Sequence, residues 1–441
     1  MPDKQQPAGD FRYSTGAAQI PWAAVGEHLG ACEAKSILRF LARPQPGQES
    51  AYEERLATLE QAVDALWQVA APATKLSLGD KVAQVEAETA RMLGARYTSF
   101  VTNATHGFEI AYRYANLGPG DEVIAPAISF IATIAYPLEI GAKVVFADLD
   151  PRTINMDPAD VARKVTDRTK VIIPVHIGGY PVDMDPIMEI ARERDVLVIE
   201  DAAHAFGGRY KGRAIGTLGD FGAFSFHEVK NVTAFGEGGI LCTDLHWGEN
   251  LKKARFLGLD LSRQIENWLY DVVALPGKSG PFATGNYSST EIQAVCLLCQ
   301  LGRIEQIIAR RRGVAEYLNQ RFAEVEGLVT PPGDSDDISP TWHLYLLQIE
   351  PDVLGADVQE FKARLSAKGV TNIPHFAPMY KFDLCRSLGY DIEAIASSCP
   401  VAEEVFNHRF THLPLYPLTE EQVVRMADLV IETAEEMKAG R

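Results

Sequence analysis

The stretch from Val196 to Thr243 constrains this chain's fold more than any other, because three apolar runs end there beside chemically distinctive side chains. Val196 to Glu200 reads VLVIE, a continuous β-branched run of the kind that fills a parallel sheet covered on both faces, and it stops at Asp201. A second run, Phe221 to Phe226, ends four residues before Lys230, and a third, Ile240 to Thr243, follows the turn Gly236-Glu237-Gly238-Gly239. Open α/β sheets bind ligands beyond the carboxyl ends of their strands, so the carboxylate, a serine hydroxyl and the lysine are expected to collect at one edge.

A lysine held in such a place is poorly hydrated, and its amine can lose a proton and attack a carbonyl to form a Schiff base. Pyridoxal phosphate is the cofactor whose chemistry needs a lysine, a buried carboxylate and a phosphate cradle together. The lysine holds the aldehyde, the carboxylate keeps the pyridine nitrogen protonated, and backbone and hydroxyl donors hold the phosphate. Asp201 and Lys230 suit the first two roles.

The same stretch resembles the sugar aminotransferase family of pyridoxal phosphate enzymes (DegT/DnrJ/EryC1/StrS). The residues that carry the resemblance are Glu200-Asp201-Ala202-Ala203-His204, Gly219-Asp220, Ser225-Phe226-His227-Glu228-Val229-Lys230-Asn231 and the Gly236 to Gly239 turn, in family order and spacing. The resemblance implies that Lys230 is the Schiff-base lysine and Asp201 the partner of the pyridine nitrogen. It also implies that Ser225 is a phosphate ligand and that His204 lies close to the cofactor ring.

Further segments extend the match. A strand, YTSFV, leads into Thr102-Asn103-Ala104-Thr105-His106-Gly107 and the helix FEIAYRYANL, and a small-residue turn opening a helix offers free N–H groups to a phosphate. The family segment places phosphate contacts on Ala104 and Thr105, with Ala104 standing where a glycine is usual. Pro126 to Thr133, PAISFIAT, resembles P-x-x-[ST]-[FW]-x-[AS]-T, which puts Phe130 against the cofactor ring, a flat apolar surface for a flat ligand. His176 begins a segment resembling V-H-x-x-G-x-x-x-D-M-D and is read as a wall of the site and a substrate candidate.

Gly285 to Ala294 resembles G-x-N-x-R-[ML]-x-E-x-Q-A loosely, so Asn286 is expected to reach the cofactor phosphate of a neighbouring subunit in a homodimer, while Ser288 replaces the usual arginine. His343, in Trp342-His343-Leu344-Tyr345, and His375, in Ile373-Pro374-His375-Phe376, are further substrate candidates that also fit structural roles at a domain junction.

The resemblance implies an α/β chain of fold type I, with a large domain holding a seven-stranded, mostly parallel sheet and a smaller C-terminal α+β domain, and the count of apolar strands suits it. The apolar strands fall near Thr98, Val123, Val144, Ile172, Val198, Phe224 and Leu241. Residues 1–77 form a helical segment with an insertion, read as a surface helix, a dimer contact or a lid. Residues 78–300 form the large cofactor-binding domain and residues 301–441 the small one.

A net charge of −17 argues against nucleic acid as a general partner. No run reaches the ~18 apolar residues of a membrane span, and the amino terminus lacks a signal pattern, so a cytoplasmic protein is expected. Cys296 and Cys299 form a C-x-x-C inside an apolar helical run and are read as a buried helix face, with no metal assigned. Gly277 to Ser279, GKS, is no phosphate loop, since the upstream glycine at the required spacing is missing and no buried strand precedes it.

The expected activity is transfer of an amino group from glutamate or glutamine to a keto group on a sugar, nucleotide sugar or cyclitol-like acceptor, in antibiotic or cell-envelope biosynthesis. EDAAHA and TNATHGFEIA are similar to the branch that makes 3-amino-5-hydroxybenzoate. Sugar dehydratases or lyases of the same family are the alternative, but those carry histidine at the lysine position. A non-catalytic, cofactor-binding regulatory or partner subunit is the alternative from another class.

Overall fold

The computed structural model describes residues 27–440 apart from 72, 74, 262–264, 266–267, 372–375 and 416. His375 therefore lies outside the described residues. Seven strands form the central sheet: β1 (Tyr97–Val101), β2 (Glu122–Pro126), β3 (Lys143–Ala147), β4 (Thr169–Ile172), β5 (Leu197–Asp201), β6 (Phe221–Ser225) and β7 (Gly239–Thr243). Their order is β1-β7-β6-β5-β4-β2-β3, and every neighbouring pair is parallel except the two made by β7. All seven coincide with the apolar runs, because the sheet is covered on both faces and most of its side chains are buried.

Two helices near the amino-terminal end of this unit explain how the site edge is built. Helix α3 (Asp80–Leu93) stops at Gly94, a left-handed cap at φ 68°, and packs Val82, Val85 and Leu93 against Phe100, Ile240 and Cys242. Helix α4 (Ala104–Tyr114) lies on the opposite face, with Phe108, Ala111 and Tyr112 in the larger core. At Gly107 a side chain would meet the Ala223 methyl at 3.0 Å, so this glycine lets α4 lie directly on β6.

Before them, α1 (Ala31–Leu41) and α2 (Glu49–Trp67) pair with each other through Lys35–Asp64 at 2.6 Å and a contact between Arg39 and Glu60. Helix α1 buries no residue and α2 buries only Val63.

A second core, beyond residue 301, gathers Leu318, Phe322, Tyr345, Leu347, Phe361, Leu365 and Val430 around a three-stranded sheet of Leu328–Val329, Tyr345–Ile349 and Phe410–Leu413. Not every segment beyond residue 301 packs into this second core. Met379, Tyr380, Cys385, Cys399, Ala402 and Val405 join the large-domain core instead. The Tyr390 hydroxyl oxygen accepts from the Val144 N–H at 2.9 Å, and Asp148, just after β3, accepts from the Val401 and Ala402 N–H groups.

The C-x-x-C also differs from expectation. On the helix Glu291–Leu301 the buried residues are Ala294, Leu297 and Leu301, whereas Cys296 is half-buried and Cys299 exposed. Ile292, Val295, Cys296 and Cys299 share the outer face at i, i+3, i+4, i+7 spacing. An apolar run with two apolar faces does not reveal which one the sheet covers.

Candidate active site

Asp201 is the last residue of β5 and is buried. Its Oδ2 accepts from Thr133 Oγ1 at 2.7 Å and its Oδ1 from the Ala203 N–H at 3.2 Å. Thr133 is paired in turn with Ser129 Oγ at 2.9 Å, so the start of the helix Ala132–Glu139 is tied to the carboxylate. Burial pushes the Asp201 pKa up, while its hydrogen bonds and the nearby Lys230 pull it down. Phe130, next to Ser129, leaves 62% of its surface exposed. That much bare aromatic surface on a residue flanked by buried Ser129 and half-buried Ile131 is an apolar face without a covering group.

Lys230 sits in the turn that follows β6, its N–H bonded to the His227 carbonyl at 3.0 Å. Burial of the amine lowers its pKa to about 8, against the opposing pull of the Asp201 carboxylate. An amine in that state is a free base for a substantial fraction of the time near neutrality, which an exposed lysine is not.

The phosphate-cradle residues converge through strand register. Val101 of β1 pairs with Gly239 of β7, which pairs with Ser225 of β6, so the three ends stand in one row. A side chain on Gly239 would lie 2.4 Å from the Asn103 carbonyl carbon and 2.7 Å from the Ala104 nitrogen, so only glycine lets β7 meet the start of α4. Asn103 caps that helix by accepting from the His106 N–H at 3.0 Å. The N–H groups of Ala104 and Thr105, in the first turn, have no carbonyl within the helix to bind and carry the positive end of its dipole. Ala104 keeps a helical backbone, which removes the objection to alanine where the family has glycine.

His204 is buried; its Nδ1 accepts from the Gly178 N–H at 3.3 Å, and its ring lies 4.5 Å from that of His343 and 5.5 Å from that of Phe376. His343 is thus brought to the site from the far side. Asn286 is exposed at the edge of β1, beside the bridge Val101–Ser288, and its Oδ1 accepts from Ser288 N–H at 3.1 Å and Ser288 Oγ at 2.7 Å.

His176 requires correction. It is 0% exposed, its Nδ1 accepts from the Val182 N–H at 3.1 Å, and its Nε2 lies 3.0 Å from Glu200 Oε2. Both ring nitrogens are engaged within the protein, which leaves neither for the substrate contact expected of it. Thr133 was the unassigned last position of the PAISFIAT motif, and Asn231 and Thr341 had no signal beyond adjacency to Lys230 and His343.

A carboxylate buried with too few donors, a desolvated lysine and a helix terminus beside a serine are the donor set that pyridoxal phosphate requires, and these residues fit it. A family model for DegT/DnrJ/EryC1/StrS aminotransferases matches residues 58–431. The chain belongs to this family. It is therefore a pyridoxal phosphate-dependent aminotransferase of fold type I.

Among its relatives, GDP-perosamine synthase of Caulobacter vibrioides is 34% identical over 326 residues, covering 74% of this chain and 84% of that protein. The crystal structure of 3-amino-5-hydroxybenzoic acid synthase superposes with a TM-score of 0.72 at 29% identity, over 81% of this chain and 91% of that one. A Streptococcus pneumoniae protein solved in its pyridoxal phosphate form gives a TM-score of 0.72 at 26% identity, over 83% and 93% respectively. The family match begins inside α2, so α1 lies before it. Among the described residues no single helix is long and apolar enough to cross a membrane.

Proposed function

We propose that Lys230 carries the cofactor and that the enzyme transfers an amino group from glutamate or glutamine to a keto group of a sugar or cyclitol-like acceptor in a biosynthetic pathway. The observation that carries this reading is the desolvated Lys230 amine within the field of the Asp201 carboxylate. The names of the relatives, a perosamine synthase and an aminohydroxybenzoate synthase, support the acceptor class.

In this reading Asp201 faces the pyridine nitrogen, with Thr133 and the Ala203 N–H orienting the carboxylate. Phe130 and His204 flank the ring, and Ser225, Ala104 and Thr105 hold the phosphate. Bound there, pyridoxal phosphate supplies an electron sink for the carbon that bears the migrating amine. Lys230, once its amine is free, would be the residue that moves the proton at that carbon, a task suited to a base with a pKa of about 8.

Asn286, exposed at the sheet edge, suits a contribution to the phosphate site of a second subunit, so the active form is a homodimer. The acidic surface and the small-molecule chemistry suit the cytoplasm. The test is a visible spectrum of the purified protein with pyridoxal phosphate, before and after glutamate or glutamine. The band of the lysine-bound cofactor should form and then fade on adding the donor. A band that ignores every amino donor would favour the dehydratase or lyase alternative.

A further inference from the structure

Asn231, immediately after Lys230, makes two hydrogen bonds that fix the state of a neighbouring ring. Its Nδ2 donates to the Thr341 carbonyl at 2.9 Å, and its Oδ1 lies 3.1 Å from His343 Nδ1. A carbonyl oxygen can only accept, so the nitrogen end of the amide belongs at Thr341 and the oxygen end at His343. That oxygen also only accepts, so His343 Nδ1 must carry the proton.

The turn that receives Asn231 is over-determined. Thr341 Oγ1 donates to the His204 carbonyl at 2.6 Å and the Thr341 N–H to the Gly179 carbonyl at 3.1 Å. Arg311 Nη1 donates to the Trp342 and His343 carbonyls at 3.3 and 3.2 Å. Trp342 holds a left-handed φ of 51°, a conformation rare in a bulky residue and sustained only where its surroundings enforce it.

Beside it, His204 Nδ1 accepts from a backbone N–H, so a neutral His204 carries its proton on Nε2. The two rings lie 4.5 Å apart, tilted by 30°. Burial, with the charges of His204, Lys230, Arg311 and His412 nearby, pushes the His343 pKa well below that of an ordinary histidine, so the ring stays neutral. Its Nε2 then presents a lone pair.

We propose that Asn231 is a positioning residue that holds His343 in the Nδ1–H tautomer beside Lys230, so that His343 Nε2 accepts a hydrogen bond from a hydroxyl of a polyhydroxylated acceptor. The substrate half of this inference rests on the aminotransferase reading above; the tautomer half stands without it.

Long-range proton–nitrogen NMR of the histidine-labelled protein without cofactor reads the tautomer directly, with His343→Gln to assign the signal. The wild type should show His343 protonated at Nδ1. Asn231→Ala should lose that preference, and Asn231→Asp, which keeps an acceptor at the ring but cannot donate to Thr341, should retain a proton on Nδ1. In the cofactor-loaded enzyme, Asn231→Ala should raise KM for the acceptor by about tenfold, the size of one lost hydrogen bond, and leave the rate with the amino donor within about threefold.

A wild-type ring protonated at Nε2, or an Asn231→Ala ring that keeps its Nδ1 proton, would overturn the assignment, and so would equal losses toward donor and acceptor. If the wild type forms no cofactor band, the aminotransferase reading fails while the NMR result still decides the tautomer.

Discussion

Glu200 and Asp201 are consecutive carboxylates at the end of β5, and the alternation of a strand sends them to opposite faces of the sheet. On one face, Glu200 is fully buried and saturated: Oε1 accepts from Leu218 and Gly219 N–H at 2.6 Å each, and Oε2 from the Gly216 N–H at 2.8 Å, with His176 Nε2 at 3.0 Å. On the other face, Asp201 has one hydroxyl and one N–H. A carboxylate whose lone pairs are filled by its own chain is scaffold. One left short of donors and beside a deprotonatable lysine retains capacity for a cationic ligand.

The largest effects should separate the two faces. Glu200→Ala strands three backbone N–H groups and His176, and should destabilise the cofactor-free protein by about 3 kcal/mol in urea unfolding. Asp201→Asn should leave that stability within about 1 kcal/mol, because it removes a poorly satisfied buried charge, yet lower turnover by about a hundredfold or more through loss of the pyridine-nitrogen partner. Equal stability losses at the two positions would break the comparison.

Next in size, Thr133→Val removes the hydroxyl that orients Asp201 and should cost about tenfold in turnover with little change in fold stability. The pH response sharpens the contrast further. Lys230 has a folded pKa of about 8, below its unfolded value, so its protonation costs stability at lower pH and that cost is relieved as pH rises through about 8 toward the unfolded value. The rate at which the cofactor-free protein captures pyridoxal phosphate should therefore rise with pH and level off above about 8. In Asp201→Asn, which removes the charge that raises the lysine's pKa, the midpoint should move to lower pH.

The smallest effect belongs to the cradle. Ala104→Gly restores the family residue at a position already helical, and should change cofactor affinity less than threefold while costing at most about 1 kcal/mol of stability.

Much of this was legible in the chain itself. The seven strands announced themselves as apolar runs, and Asp201 and Lys230 stood out by where those runs end. The division of labour between Glu200 and Asp201 was not legible, since it depends on a turn at 216–219 folding back and on His176 arriving from another strand end. Thr133 stood in a recognised motif without a partner until the fold brought Asp201 to it. The return of residues 379–405 to the large-domain core and the outward face of Cys299 were likewise tertiary facts, decided by which surface lay nearest. Helices α1 and α2 read correctly as helices, but their lack of a buried face, where each enclosed aliphatic side chain would contribute about 1.5–3 kcal/mol, is visible only in three dimensions.

The most direct measurement is the visible spectrum of wild type and Lys230→Ala with pyridoxal phosphate, followed by addition of glutamate or glutamine. The wild type should show a band from lysine-bound cofactor that fades with the donor, and Lys230→Ala should show none and turn over at least about a thousandfold more slowly. A Lys230→Ala protein that keeps the band and the donor response would contradict the assignment of Lys230, and with it the reading of this sheet edge as the catalytic centre.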